Sequence, residues 1–400
     1  MTKAGFGFIA GGVFIYFIAT QTQIGWLYLI DASIWSLLVL SAVLPWFSLK
    51  SVQVEREVIL PAHGFPSGLD GPMEDETVVI KLKVTNRGRL ARYFVSIGED
   101  CPFEQPEKRR HTFFIPYLRP GTTSFSYVAT GYHRGHYASA NTTLQSGDPL
   151  GFRVRRQTFS LPLNLTVYPP YYPMQGLPMT DAIWTDWGSA IKSRAANEIY
   201  GSREYQPGEP LKYVHWRNTA RMGRFMLKEF EQAGKGSLAV AFETKDNFGE
   251  GRETTLEYCV KIAASLSRLC TDSGRSLDIL AGEAPLLDAG WHNAMDYLAR
   301  LGKGEYEDSL TELTAAASAQ TLVVIAPSLP GRDLAQLSQR FDRLVVVLLD
   351  GFIPVKKSDE FTAQLTAANI EIIHCSPGDL TGAIEKLGNA LPHTKQLTAG

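Results

Sequence analysis

The chain has 400 residues, a formal net charge of −2 and a charged fraction of 20%. That length exceeds what one ordinary core fills, so two or three folded units are expected, and the near-neutral balance excludes non-specific nucleic-acid affinity as a whole-chain property. The four cysteines, Cys101, Cys259, Cys270 and Cys375, include no C-x-x-C pair, which argues against a disulfide framework and a zinc site and suits a reducing compartment.

In chain order, Ala4 to Thr20 carries no charge, a polar loop Gln21-Thr22-Gln23 follows, and a second apolar run from Ile24 to Leu49 is interrupted only by Asp31. A spanning helix needs about 20 apolar residues, so residues 1–50 are read as two transmembrane helices forming a hairpin. A cleaved signal peptide is the competitor, but Lys3 alone makes a poor basic n-region and a second apolar run follows at once. Trp26, Tyr28, Trp46 and Lys50 suit interfacial anchors, and Lys3, Lys50 and Arg56 are positive on one side of the hairpin, which places the soluble bulk in the cytoplasm. Asp31 lies near the turn and is expected to reach headgroups or water.

Residues 51–170 show period-2 patterning broken by Gly, Pro and Asn turns. "TVVIKLKVTN" (Thr77 to Asn86) alternates Val78, Ile80, Leu82 and Val84 with Val79, Lys81 and Lys83, the pattern of a half-buried strand. "YFVSIGE", "TSFSYVATGY", "GHYASANTTLQSGDPLGF" and "LNLTVYPP" repeat it, which implies an all-β sandwich domain. Residues 171–235 form a connector, and from 236 to 400 the pattern changes again. "SLAVAFET", "SLDILAG", "TLVVIAPS", "LVVVLLDG" and "EIIHCSP" are short continuous apolar runs, separated by helical patterns such as "TTLEYCVKIAASLSRLCTDSG", "WHNAMDYLARLG", "RDLAQLSQRF" and "DEFTAQLTAANI". Strands buried on both faces and alternating with helices predict an α/β doubly wound sheet, with ligand sites at the carboxyl ends of its strands.

The chain has no G-x-G-x-x-G after the first of these strands and no P-loop, G-x-S-x-G or H-E-x-x-H motif. Nucleotide, hydrolase and zinc-protease readings therefore lack their usual parts, and no cofactor is expected. His215, His292 and His374 are individual acid–base candidates that sequence cannot bring together.

The alternation of strands and helices after a membrane hairpin and a β-domain resembles a von Willebrand factor A-like domain. The metal site of that family opens with Asp-x-Ser-x-Ser after the first strand. Here the positions read Glu243-Thr244-Lys245-Asp246-Asn247. Lys245 puts a cation where the divalent ion would sit, like charges repel at that range, and the hydroxyl ligands are missing. The site at Glu243, Thr244 and Lys245 is therefore read as degenerate, a salt-bridged or solvated loop with no metal.

The most specific stretch is Gly201 to Gln232, "GSREYQPGEPLKYVHWRNTARMGRFMLKEFEQ". It resembles the signature of the bacterial domain of unknown function 58 family, on Arg203, Tyr205, Gly208, Val214, Trp216, Ala220, Arg221, Glu229, Phe230 and Glu231, with Glu209 where that family commonly has Asp. "DPLGF" (Asp148 to Phe152) and "YPP" (Tyr168 to Pro170) look like its lead-in. Pro210 suits a first helical turn, Leu211, Val214, Trp216 and Ala220 an apolar stripe, and "RFMLKEFE" a strand. Arg203, Arg217, Arg221 and Arg224 lie close in sequence to Glu204, Glu209, Glu229 and Glu231, so mutual pairing would neutralise much of the cluster, and the interleaved carboxylates argue against a phosphate groove. A structural charge network is favoured over a protein-partner surface, a catalytic site and nucleic-acid binding, in that order.

The resemblance implies a two-pass bacterial inner-membrane protein without assigned enzymatic activity, associated with MoxR-type AAA ATPases and von Willebrand A-domain proteins in assembly or envelope-related processes. It implies an adaptor with a protein partner. The alternative is an enzyme whose cleft is built from the Arg203 to Glu231 segment.

Overall fold

The computed structural model describes residues 3–61, 64–148, 150–174, 199–204, 219, 226–230, 238–245, 247–273, 277–304, 310–317, 319–327, 331–352 and 370–391. The chain divides into two units, Met1–Tyr168 and Pro169–Gly400.

The first unit opens with helices α1 (Lys3–Thr22) and α2 (Gly25–Leu49), both long and apolar enough to cross a membrane. Phe6, Phe14, Phe17, Leu29, Val39 and Leu40 are exposed on them, a surface that water would penalise and a bilayer would cover. The buried residues of α1, Gly5, Gly12 and Ala19, recur every seven positions and so share one face. A β-carbon at Gly12 would lie 3.3 Å from Ile34 Cγ2, so a small residue there lets the two helices approach. On α2 the protected positions Leu27, Asp31, Ile34, Leu38, Ser41, Pro45 and Ser48 form one stripe at three- and four-residue spacing. Asp31 belongs to that stripe, is 7% exposed and leaves Oδ1 without a partner. The expectation that it reaches headgroups or water is thereby corrected, because helical phase turns it into the hairpin.

α2 runs into the sandwich without a linker. Leu49 is buried in the same cluster as Val52, Val54, Leu82, Val95 and Leu144, and Ser51, at a φ of 66°, makes the turn into β1. One antiparallel sheet has the order β1 (Val52–Ile59), β2 (Thr77–Asn86), β5 (Gly121–Thr130). The other has the order β4 (Arg110–Leu118), β3 (Arg92–Asp100), β6 (Gly135–Gly147), β7 (Val154–Val167). On β2 it is Val78, Ile80, Leu82 and Val84 that are buried, the alternation legible in sequence, each side chain contributing about 1.5–3 kcal/mol. A second cluster, with Phe65, Ile80, Cys101, Phe103, Leu163 and Val167, fills the rest of the sandwich.

In the second unit, β8 (Ile199–Glu204) pairs antiparallel with β9 (Met226–Phe230). A six-stranded sheet follows, built from β10 (Leu238–Phe242), β13 (Leu277–Leu280), β14 (Leu286–Ala289), β15 (Thr321–Ala326), β16 (Arg343–Leu349) and β17 (Glu371–Cys375). Its order is β14-β13-β10-β15-β16-β17, parallel throughout except for the edge strand β14. Every residue of β10 and β15 is buried, as the continuous apolar runs require. Among the described residues the α-helices of this unit are α3 (Thr255–Asp272), α4 (Trp291–Arg300), α5 (Leu310–Leu313), α6 (Gly331–Arg340) and α7 (Leu380–Ala390). Ala239, Ala241, Val324 and Val346 pack with Leu310 of α5 and Leu337 of α6. A small hairpin, β11 (Gly249–Glu250) with β12 (Glu253–Thr254), precedes α3. The helical pattern "DEFTAQLTAANI" lies, up to Asn369, outside the described residues.

Candidate functional site

The signature is described at its two strands and at Thr219. Arg203 in β8 stands opposite Leu227, Gly201 opposite Glu229 and Ile199 opposite Phe230, with a register shift between Ile199 and Gly201. The "RFMLKEFE" expectation corresponds to β9. Tyr205, Gly208, Glu209, Pro210, Leu211, Val214, His215, Trp216, Arg217, Ala220, Arg221, Arg224 and Glu231 lie outside the described residues.

Glu243, Thr244 and Lys245 follow β10 directly, at the carboxyl end of the strand where the sheet order changes direction. In open α/β sheets that is where ligands bind. Glu243 is exposed, Lys245 half-buried and Thr244 buried, with its carbonyl accepting from Gly304 N at 3.3 Å; Glu243 and Lys245 both have interaction partners. Asp246 lies outside the described residues. Asn247 is committed elsewhere: its Oδ1 accepts from Leu256 N at 3.2 Å and from Thr255 Oγ1 at 3.4 Å. With Thr254 Oγ1 accepting from Glu257 N at 3.3 Å, these side chains cap α3. The loop thus spends its last polar side chain on a helix terminus.

A second polar group sits at the ends of β16 and β17. His374 Nδ1 hydrogen-bonds Asp350 Oδ2, and Asp350 N donates to the Cys375 carbonyl at 2.9 Å. Tyr258 OH donates to Glu253 Oε2 and accepts from Gly378 N at 2.7 Å. Burial pushes the Tyr258 hydroxyl up to about 12, and burial with the nearby Asp379 and Asp350 pushes the Cys375 thiol up to about 12. Neither is poised to ionise near neutral pH. His292 lies on α4.

Sequence reasoning missed the polar interior of the sandwich. Arg56 and Glu99 are fully buried and paired; Arg56 also donates to Thr142 Oγ1 at 2.9 Å and to the carbonyls of Leu161 at 3.0 Å and Ala140 at 3.3 Å. Burial pushes the Glu99 carboxyl up, opposed by the Thr142 hydroxyl and Arg56. Next to it, His111 Nε2 and Glu104 Oε2 are 2.5 Å apart, Cys101 Sγ and Tyr127 OH 3.1 Å apart, and the His111 and Tyr127 rings 4.2 Å apart. Burial pushes the Cys101 thiol up to about 12 and raises Tyr127. The available signal was Cys101-x-x-Glu104 with His111 seven residues on, a spacing that a C-x-x-C search passes over.

"DPLGF" connects β6 to β7 within the first unit. Asp148 organises it, Oδ2 accepting from Leu150 N at 3.2 Å and Oδ1 from Arg153 N at 2.6 Å. Phe152 is buried with its ring centroid 4.5 Å from that of Phe8 in α1. A cavity of about 390 Å³ beside it is lined by Ala42, Pro45, Trp46, Arg153, Val154 and Arg155, among others. The stretch therefore docks the sandwich on the helical hairpin.

The family described as "Protein of unknown function DUF58" matches residues 201–287. A curated relative from Bacillus subtilis (strain 168), "Uncharacterized protein YeaD", is 27% identical over 156 residues, 38% of this chain and 37% of the relative. The match therefore spans little more than a third of that protein. Together these two findings support the DUF58 family. Among solved structures, a GH20 exo-β-N-acetylglucosaminidase from Vibrio harveyi aligns at TM-score 0.22 and 9% identity, over 86% of this chain and 75% of the enzyme. A β-glucuronidase from Bacteroides uniformis aligns at TM-score 0.19 and 12% identity, over 78% and 38%. At these scores neither alignment bears on fold or activity.

Proposed function

We propose that this chain is a membrane-anchored, non-enzymatic adaptor whose α/β domain, of von Willebrand A-like type, engages a MoxR-type AAA ATPase at the bacterial inner membrane. The observation that carries this reading is the polar loop Glu243-Thr244-Lys245 at the carboxyl end of β10, the crevice position of a sheet ordered β14-β13-β10-β15-β16-β17. That order, with its antiparallel edge strand, supports the von Willebrand A-like assignment. A lysine at the position of an ion-binding hydroxyl disfavours metal-mediated binding at this loop. The apolar surface of α1 and α2 and the direct passage from Leu49 into the sandwich support a two-pass anchor. The positive charges of Lys3 and Lys50 support a cytoplasmic orientation, while Arg56, paired with Glu99 inside the sandwich, adds nothing to it. Arg203, Tyr205, Gly208, Glu209, Trp216, Arg217, Arg221, Glu229 and Glu231 then serve as a structural connector whose charges satisfy one another.

Affinity purification of the full chain from detergent-solubilised membranes tests the partner. An AAA ATPase enriched over a tag-only control, most strongly with a non-hydrolysable nucleotide, is the expected result. Repeated recovery of no ATPase under those conditions overturns the reading. A reporter fused to the C-terminus checks the orientation separately.

A further inference from the structure

We propose that Cys101, Glu104 and His111 form a binding site for a transition-metal dication of the zinc class inside the β-sandwich. The three side chains offer one sulfur, one carboxylate oxygen and one imidazole nitrogen, all within 4.8 Å of one another. A tetrahedral zinc ion, with Zn–S of about 2.3 Å and Zn–N of about 2.0 Å, spaces its ligand atoms roughly 3.3–3.8 Å apart. To accept one, the 2.5 Å contact between His111 Nε2 and Glu104 Oε2 must open.

The backbone explains why three residues from one hairpin converge. β3 ends at Asp100, and Glu104 N donates to the Cys101 carbonyl at 3.2 Å, closing a tight turn that brings the two side chains together. Cys101 N donates to the Arg109 carbonyl at 2.8 Å, and His111 in β4 stands opposite Glu99 in β3, so the returning strand delivers its imidazole to the same place. Cys101 is 2% and Glu104 6% exposed, while the His111 side chain, at 23%, lies toward the surface.

The donor set selects the ion. Calcium and magnesium want oxygen ligands alone, whereas a thiolate with an imidazole suits zinc, cobalt or copper. The ligands have their own support: Glu104 Oε1 accepts from Thr130 N at 3.2 Å, which orients the carboxylate. Tyr127 OH, 3.1 Å from Cys101 Sγ, is the nearby oxygen for a fourth position, which water also suits. A bound ion would fasten the turn after β3 to edge strand β4 and to β5.

The test uses the full chain in detergent, stripped with a chelator and titrated with Co²⁺. One equivalent should bind, with a near-ultraviolet thiolate-to-cobalt charge-transfer band and visible bands of tetrahedral intensity, and Zn²⁺ should displace it. Cys101→Ser should abolish the charge-transfer band, and Glu104→Gln and His111→Gln should each weaken Zn²⁺ binding by more than the about 10–100-fold typical of losing an outer-shell partner. Circular dichroism establishes that each variant is folded, and Glu104→Gln carries the test if Cys101→Ser does not fold. Absence of a thiolate band in the folded wild type overturns the proposal. So does a band that persists in Cys101→Ser, which would assign it to Cys259, Cys270 or Cys375.

Discussion

Replacing Arg56 with methionine keeps most of the side-chain volume and removes a guanidinium that serves five acceptors: Glu99, Thr142 Oγ1 and the carbonyls of Leu161, Pro162 and Ala140. Both members of the ion pair have side chains 0% exposed, so no water replaces the lost donors. Removing one partner of such a pair costs about 3–5 kcal/mol, because the remaining charge stays buried and uncompensated. Glu99 keeps only the Thr142 hydroxyl, which donates to Oε2 at 2.7 Å. The loss should be largely recovered when Glu99 is made leucine as well, since an apolar pair is often as stable as a buried ionic one. Pulse proteolysis of the full chain in detergent across a urea series reads the unfolding midpoint of the sandwich. With a urea slope of about 1–3 kcal/mol per molar, Arg56→Met should lower it by roughly 1 M or more. An Arg56→Met midpoint indistinguishable from wild type, or a double variant no more stable than the single one, refutes the reasoning.

Phe152→Ala should remove about 3–5 kcal/mol of packing between the "DPLGF" loop and Phe8, read as a lower thermal-aggregation temperature in detergent; an unchanged temperature contradicts the docking role. Burial raises the Asp278 carboxyl, with the amide of Asp288 pulling it down and the Asp288 charge adding to the rise. The folded state therefore holds that proton more tightly, so the associated stability is present below the unfolded value near pH ~3.9 and is lost as pH rises through the folded one. Asp278→Asn should flatten this part of the pH–stability curve and be the more stable protein at pH ~7; a curve parallel to wild type refutes it. Trp216→Ala should cost about 3–5 kcal/mol if the signature is a structural connector, and a variant of wild-type stability that has lost its partner would reopen that segment as a site.

Much of the fold was legible because burial imposes simple periods. Alternation in "TVVIKLKVTN" and continuous apolar runs such as "TLVVIA" translate directly into half-buried and fully buried strands. β14 was not legible: "LLDA" is four residues long and carries Asp288 at a φ of 51°, too short for a period to register. Asp31 was misjudged because distance from the turn was weighed and helical phase was not. The use of Asn247 to cap α3 depends on the path of the β11–β12 hairpin, which the sequence of the loop after β10 does not carry. The Cys101, Glu104 and His111 cluster depends on a turn closing at Cys101 and on the register of β3 with β4, neither of which single residues announce.

The adaptor reading is tested most directly by a photo-crosslinking residue placed at Lys245 in the full chain, activated in native membranes, with the products identified by mass spectrometry. The account predicts a covalent adduct with an AAA ATPase subunit. Adducts confined to this chain, or formed reproducibly with a different class of protein, would contradict it.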